Sequence, residues 1–313
     1  MRCMIRTGLS LRRPAGRGDV LEPWESDSGA WKTASEDRKG RHMRVLEEFD
    51  ASTEAVVNPA HVVKPVPGMP RVVVSCFAWE TFERMVSGFG GTKIGETREA
   101  NMVIPVYQTS LKGTPVGMYL SPVGAPACVS TAEEVFAMGA ETILLFGTCG
   151  VLDSSIGDCS IVIPDRAVRD EGTSYHYMPA SDEILVNPRY MDIFTQMLDS
   201  LGCHYAVGKT WTCDGIYRET REKVARRKAS GCISVEMECS AMAALARFRE
   251  REVFQFFYAA DNLDGETWDI RSLDNGARLD DKDRIAGLAM ELAVRVAGVK
   301  GKNSMGLSDK TTR

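Results

Sequence analysis

Ile143-Leu144-Leu145-Phe146-Gly147-Thr148-Cys149-Gly150 passes from four consecutive apolar residues into two glycines that enclose Thr148 and Cys149. Apolar residues in a row, without polar alternation, predict a short buried strand. Glycines at its end let the backbone approach an anion, and Thr148 adds a hydroxyl donor. A tight turn after a strand has the same composition, so both readings stand at this point.

Working outward, 72–74 is a second apolar run, followed by a helical stretch over 79–85. Residues 102–108 and 116–121 predict strands around a Lys112-Gly113 turn. Residues 130–138 predict a helix, with Ser130-x-x-Glu133 as its capping box. Downstream, 161–163 predicts a strand, and Asn187-Pro188 opens a helix reaching Leu201 with N-cap and N1 residues in order. The apolar segment 232–235 precedes a helix-forming run at 239–247. Residues 254–260 predict a late strand and 277–296 a closing helix. This alternation predicts an α/β layer fold built on one sheet.

The 313 residues suffice for one large core or two modest ones. A formal net charge of -5 argues against nucleic acid as a partner. No apolar run approaches the roughly 18 residues of a membrane span. Nine cysteines without a C-x-x-C pair predict free thiols in a reducing, cytoplasmic setting. Four histidines without helical ligand spacing predict no metal. Arg2, Arg6, Arg12, Arg13 and Arg17 precede the first acid, Asp19, so 1–42 reads as a disordered tail. A transit peptide is a second reading, opposed by the acids from Asp19 onward, and a start at Met43 is a third. Residues 43–71 are then a lead-in, 72–299 the catalytic domain and 300–313 a C-terminal tail.

Val235-Glu236-Met237-Glu238 places two acids two residues apart, on one side of an extended chain. Buried acids need donors, and a pair of sugar hydroxyls would serve. Gly88-Phe89-Gly90-Gly91-Thr92-Lys93 lacks the order of a phosphate loop and predicts an ordinary loop. Asp170-Glu171-Gly172-Thr173-Ser174-Tyr175-His176-Tyr177 lines a pocket or forms a well-bonded turn. Asp261 ends a strand, where open α/β sheets place ligand contacts and where turns also use Asp.

Together these segments resemble the nucleoside phosphorylase superfamily over about 72–296. Val235-Glu236-Met237-Glu238 is similar to its ribose-binding signature, and Gly147-Thr148-Cys149-Gly150 to its phosphate-site turn. Gly124-Ala125-Pro126-Ala127-Cys128 stands where the family has Gly-x-Pro-Ser. Residues 169–177 resemble an Arg-x-Asp-Gly-Ala-Ser-x-His-Phe stretch of uridine phosphorylases. The resemblance implies a three-layer sandwich with a central mixed β-sheet flanked by helices.

It also implies site residues. Glu236, Met237 and Glu238 would form the ribose site, Glu238 holding the hydroxyls, Met237 packing on the sugar and Glu236 supporting the loop, with His61 lent to a neighbouring subunit's sugar. Gly147 and Thr148 would hold phosphate, with Arg98 or Arg218 supplying a cation. Tyr217 would stack on the base, and Asp261 would protonate a purine at N7 as it departs, with Glu238 completing the catalytic set. The implied activity is cleavage of a purine nucleoside or uridine by inorganic phosphate, the co-substrate, with no cofactor, in a homodimer or hexamer.

Two arginines of the family's phosphate site are replaced here, in Ser75-Cys76-Phe77-Ala78-Trp79-Glu80 and at Leu145. Glu80 aligns instead with the water-activating glutamate of the nucleosidases, or is an ordinary helix glutamate. A phosphate-independent nucleosidase and a non-catalytic nucleoside-binding protein are therefore the two alternatives.

Overall fold

The computed structural model describes residues 45–274 and 276–299. The expected tails at 1–42 and 300–313 lie outside them. In chain order the elements are α1 (Pro59–Val62), β1 (Val72–Cys76), α2 (Trp79–Gly88), β2 (Thr92–Arg98), β3 (Val103–Leu111), β4 (Thr114–Leu120), α3 (Ala125–Ala137) and β5 (Thr142–Val151). There follow β6 (Ile161–Asp170), β7 (Glu183–Leu185), α4 (Met191–Leu201), β8 (Tyr205–Cys213), α5 (Arg221–Ala229), β9 (Cys232–Glu236), α6 (Cys239–Phe248), β10 (Glu252–Asn262) and α7 (Leu279–Ala297).

The strands form one mixed sheet in the order β10-β6-β8-β9-β5-β1-β4-β3-β2, with β7 on β6. Because β10 also pairs with β5, the β10-β6-β8-β9-β5 part closes on itself. Helices flank the sheet. On one side α2, α4 and α7 pack on Val74, Phe146, Phe254 and Phe256. On the other, α3 and α6 pack on Val73, Ile143 and Leu145. Alternate residues of β1 and β5 thus serve opposite layers, which is why their runs are apolar throughout.

Several local expectations need correction. Gly147-Thr148-Cys149-Gly150 is not a turn: β5 continues through it, paired in parallel with β10 as far as Val151. The glycines serve close approach instead. A Cβ at Gly147 would stand 2.6 Å from Phe77, and one at Gly150 2.4 Å from Leu263. The helix expected from Ser130 begins a turn earlier, at Ala125, after Gly124. Pro126, in the first turn where no N–H is needed, sets that start. Ser130 is mid-helix and donates to the Ala127 carbonyl at 3.1 Å.

Asn187 does not cap α4, which starts at Met191. It adopts φ +53° and clamps two strands, donating to Pro164 O at 2.8 Å and Gln255 O at 2.6 Å while accepting from Gln255 N–H. The stretch from Gly88 ends α2 and opens β2. The Lys112-Gly113 turn forms as expected, both residues having positive φ, which suits a two-residue hairpin.

Before β1, the segment from α1 onward lies against α3, where Val63 is buried and Val66 N–H donates to Met138 O, while Phe49 meets Phe248 at the end of α6. None of the eight described cysteines is in a disulfide. Among the described residues, no helix is long and apolar enough to cross a membrane.

Candidate functional site

A split in the sheet makes the site. β1 pairs with β5 only as far as Cys76 opposite Phe146, and β9 takes that side again at Gly150 opposite Val235. Between these ladders lie Gly147, Thr148 and Cys149, whose strand partners are on β10. A cavity of about 950 Å³ opens there, with Thr148, Met237, Glu238 and Asp261 in its wall. Such gaps between strand neighbours are where open sheets receive ligands.

β9 ends at Glu236, and α6 begins one turn later with Glu238 as its N-cap residue. Glu236 organises this corner. One of its oxygens accepts the N–H groups of Glu238 (2.8 Å) and Cys239 (2.7 Å), and the other accepts the Thr212 hydroxyl at 2.6 Å. Thr212 in turn accepts Ser240 N–H at 3.0 Å. The first N–H groups of α6 are thereby satisfied. Glu236 reaches the cavity wall with both oxygens already committed to the protein.

Glu238 faces a different environment. Its Oε1 accepts Gly124 N–H at 2.6 Å, tying α6 to the start of α3. Burial pushes its carboxyl up to about 8, and the Glu236 charge adds to the rise. Burial likewise brings Glu236 to about 7 against the pull of its donors. Burial thus favours the protonated form of Glu238 near neutral pH.

Asp261 stands opposite Gly150, just past a bulge at Ala260 that shifts the β10 register. Bulges of this kind re-aim side chains beside functional sites. The space left by the missing Gly150 side chain receives the carboxylate: a Cβ there would lie 3.2 Å from Asp261 Oδ1. Burial raises the Asp261 carboxyl, while the Trp268 indole N–H, donating to Oδ2 at 2.8 Å, opposes the rise.

Two groups escaped the sequence reading. Glu219 lines the cavity, and burial together with the Asp261 charge brings its carboxyl to about 7. Its signal was Thr220, which caps α5 by accepting Lys223 N–H and so fixes the preceding residue at the helix mouth. Trp268 was also passed over, although a tryptophan in a short Asp- and Gly-containing loop is an uncommon choice.

The remaining expected residues are spread more widely. Thr148 and Gly150 are in the wall, as is Tyr217, which is 95% exposed at the mouth. Gly147 carries the close approach of Phe77 at the cavity's edge. His61 is exposed on α1, where its Nδ1 accepts Asn58 N–H at 3.3 Å. Arg98 is exposed at the end of β2 and pairs with Glu96. Arg218 lies in the 3-10 turn Ile216–Arg218 and is exposed. Glu80 lies in the first turn of α2, away from the cavity wall, with Oε2 buried and without a hydrogen-bond partner among the described residues. Its charge acts on the buried Lys282.

The cations in the wall are engaged. Arg221 donates to the carbonyls of Gly265, at 3.1 Å, and Glu266, and Lys228 pairs with Asp264.

The family model described as the phosphorylase superfamily matches residues 71–295. A guanosine phosphorylase of Halorubrum lacusprofundi is 31% identical over 159 residues, 49% of this chain and 62% of that protein. The chain spans less than two thirds of the length of the curated relatives it matches first. Among solved structures, a uridine phosphorylase from Vibrio fischeri superimposes with a TM-score of 0.64 at 20% identity, covering 77% of this chain and 99% of that one. A purine nucleoside phosphorylase from Toxoplasma gondii, in complex with immucillin-H, gives 0.65 at 17% identity over 75% and 97%. At such identities the superpositions speak for the fold.

Proposed function

The chain belongs to the phosphorylase superfamily, and on that premise we propose that it cleaves the N-glycosidic bond of a nucleoside with inorganic phosphate, releasing the free base and a pentose 1-phosphate. The observation that carries this reading is that Glu238 and Asp261 line one cavity, which supports one acid serving the sugar and the other the base. Glu238 accepts the ribose hydroxyls, Met237 packs on the sugar, and Glu236 holds the corner from which both project.

A phosphate oxygen attacks the anomeric carbon from the Thr148 side as the bond to the base breaks. Positive charge builds on the sugar ring in that transition state, and the surrounding carboxylates favour it. The electron pair of the broken bond goes to the base, and Asp261 gives it a proton. Glu219 accepts an N–H of the base, and Tyr217 covers its face. His61 and Arg98, exposed on α1 and β2, complete the site of a second copy in a homo-oligomer.

A second reading, hydrolysis, is favoured by one feature. Arg221 and Lys228 are already bonded within the protein, while Glu219, Glu236, Glu238 and Asp261 surround the space. A dianionic nucleophile is poorly matched to such a wall without a partner's arginine.

Guanosine, inosine, adenosine and uridine, each incubated with and without phosphate, separate the readings. Base release that needs phosphate is expected. Release that ignores phosphate would establish hydrolysis, and binding without release would leave only a nucleoside-binding protein. Asp261→Asn should lower the rate about 100-fold or more; a full-rate variant would remove Asp261 from the chemistry.

A further inference from the structure

The loop after β10 is folded back on itself. Asn262 and Asp269 exchange both backbone hydrogen bonds, at 2.8 and 3.2 Å, and close the intervening residues into a tight hairpin. Hydrogen bonds with neighbouring segments hold it down. Arg221 donates to the carbonyls of Gly265 and Glu266, Arg271 to Ile156 O at 3.0 Å, and Ser154 N–H to Asp264 at 2.9 Å. Asp264 N–H donates to the Asn262 side chain at 2.9 Å. The hairpin delivers Trp268 onto Asp261, where the indole N–H meets Oδ2 at 2.8 Å. The tryptophan remains 59% exposed, whereas Asp261 is buried. A large aromatic side chain is thus held at the surface by one hydrogen bond to a buried acid, an arrangement that core packing does not require.

We infer that Trp268 is a positioning residue for Asp261: its indole N–H pins Oδ2 and leaves Oδ1, lodged over Gly150, as the oxygen that serves the ligand. The inference rests on the reading of Asp261 as the proton donor to the departing base. With Oδ2 accepting the indole N–H, this orientation of the carboxyl is favoured, and the proton it delivers is carried on Oδ1. That oxygen lies beside β5, whose Thr148 and Gly150 form the adjoining wall. The geometry fixes the direction of proton delivery in the way general acids require.

Other titratable groups also face Asp261. Glu219 approaches from the turn before α5, Arg271 and Asp269 from the hairpin, and the Cys149 thiol from β5. Among the described residues, Trp268 gives the hydrogen bond to Asp261 from another side chain, and it favours the ionised carboxylate, as does the Asp261 backbone N–H.

Trp268→Phe keeps an aromatic ring and removes the donor. With whichever nucleoside the protein cleaves, kcat should fall on the order of tenfold, while KM changes by less than about twofold. Activity should persist to higher pH than in the parent, because an acid without its N–H donor holds its proton longer. Trp268→His, which retains a ring N–H, should recover part of the loss. Unchanged thermal unfolding of Trp268→Phe, together with an unchanged kcat and pH profile, would overturn the inference.

A second readout needs no turnover. The indole N–H proton resonance absent from Trp268→Phe should shift with pH in the parent protein and stop shifting in Asp261→Asn. A resonance indifferent to Asp261 would refute the pairing. A resonance that follows Asp261 in a protein cleaving no nucleoside would uphold the pairing and overturn the catalytic reading instead.

Discussion

Replacing Glu238 by Gln should make the protein more stable at alkaline pH while damaging its site. Glu238 is buried, and its carboxyl is lifted from 4.5 to about 8 by burial and by the Glu236 charge. A carboxyl raised on folding carries stability that is complete below pH 4.5, where folded and unfolded chains are both protonated. As pH rises further, only the unfolded chain ionises, and stability declines until the folded group also ionises near pH 8. That interval corresponds to at most about 5 kcal/mol, at roughly 1.4 kcal/mol for each tenfold change in proton concentration. Glutamine keeps the oxygen that accepts Gly124 N–H but has no proton to lose. The difference in unfolding free energy between variant and parent should therefore grow in the variant's favour from pH 4.5 to pH 8, and then level off.

Urea unfolding of both proteins at pH 5, 6, 7 and 8.5 measures that difference directly. Sugar hydroxyls reaching Glu238 favour its ionised form, so nucleoside affinity of the parent should rise over the same pH range. The Gln variant should bind roughly 10-fold to 100-fold more weakly, the loss of hydrogen bonds to a charged group. Stability curves that run parallel within about 0.5 kcal/mol would refute the assignment of a buried, proton-holding Glu238.

Two further substitutions probe the frame around the site. Gly150→Ala would bring a methyl to 2.4 Å from Leu263 Cδ1, 3.1 Å from Val235 Cγ1 and 3.2 Å from Asp261 Oδ1; overpacking should cost about 1–3 kcal/mol and displace Asp261. Thermal unfolding at parental stability with full nucleoside cleavage would contradict the close-approach role. Asn187→Ala removes the clamp between β6 and β10 and puts alanine at φ +53°. A loss of about 3 kcal/mol or more in denaturant unfolding is expected from the buried groups left unpaired, and a change under about 1 kcal/mol would show that the clamp is dispensable.

Much of the architecture was written locally. The runs at 72–74 and 143–146 are apolar at every position, and 254–260 at all but Gln255, because β1, β5 and β10 lie between two helix layers, and that burial shows in composition alone. The Lys112-Gly113 turn and the helix at α7 likewise follow from nearby residues. The Glu236–Glu238 corner was visible as two acids needing donors. The resemblance already set Glu238 on the sugar and Glu236 in support of the loop, but their partners were not legible, since the Thr212 hydroxyl and the Gly124 N–H come from distant segments.

Only the tertiary structure decided the meaning of Gly147-Thr148-Cys149-Gly150. Glycines in a turn and glycines in a crowded strand have the same letters. What separates them is the atom that fills the space of the missing Cβ, here Phe77 at one end and Leu263 with Asp261 at the other. The same holds for Glu219 and Trp268: each is an ordinary loop residue until the fold brings Asp261 beside it. Apolar periodicity is a property of neighbours along the chain and is therefore legible in it. Shared burial of acids from separate loops depends on long-range packing, and it exists only once the sheet has closed.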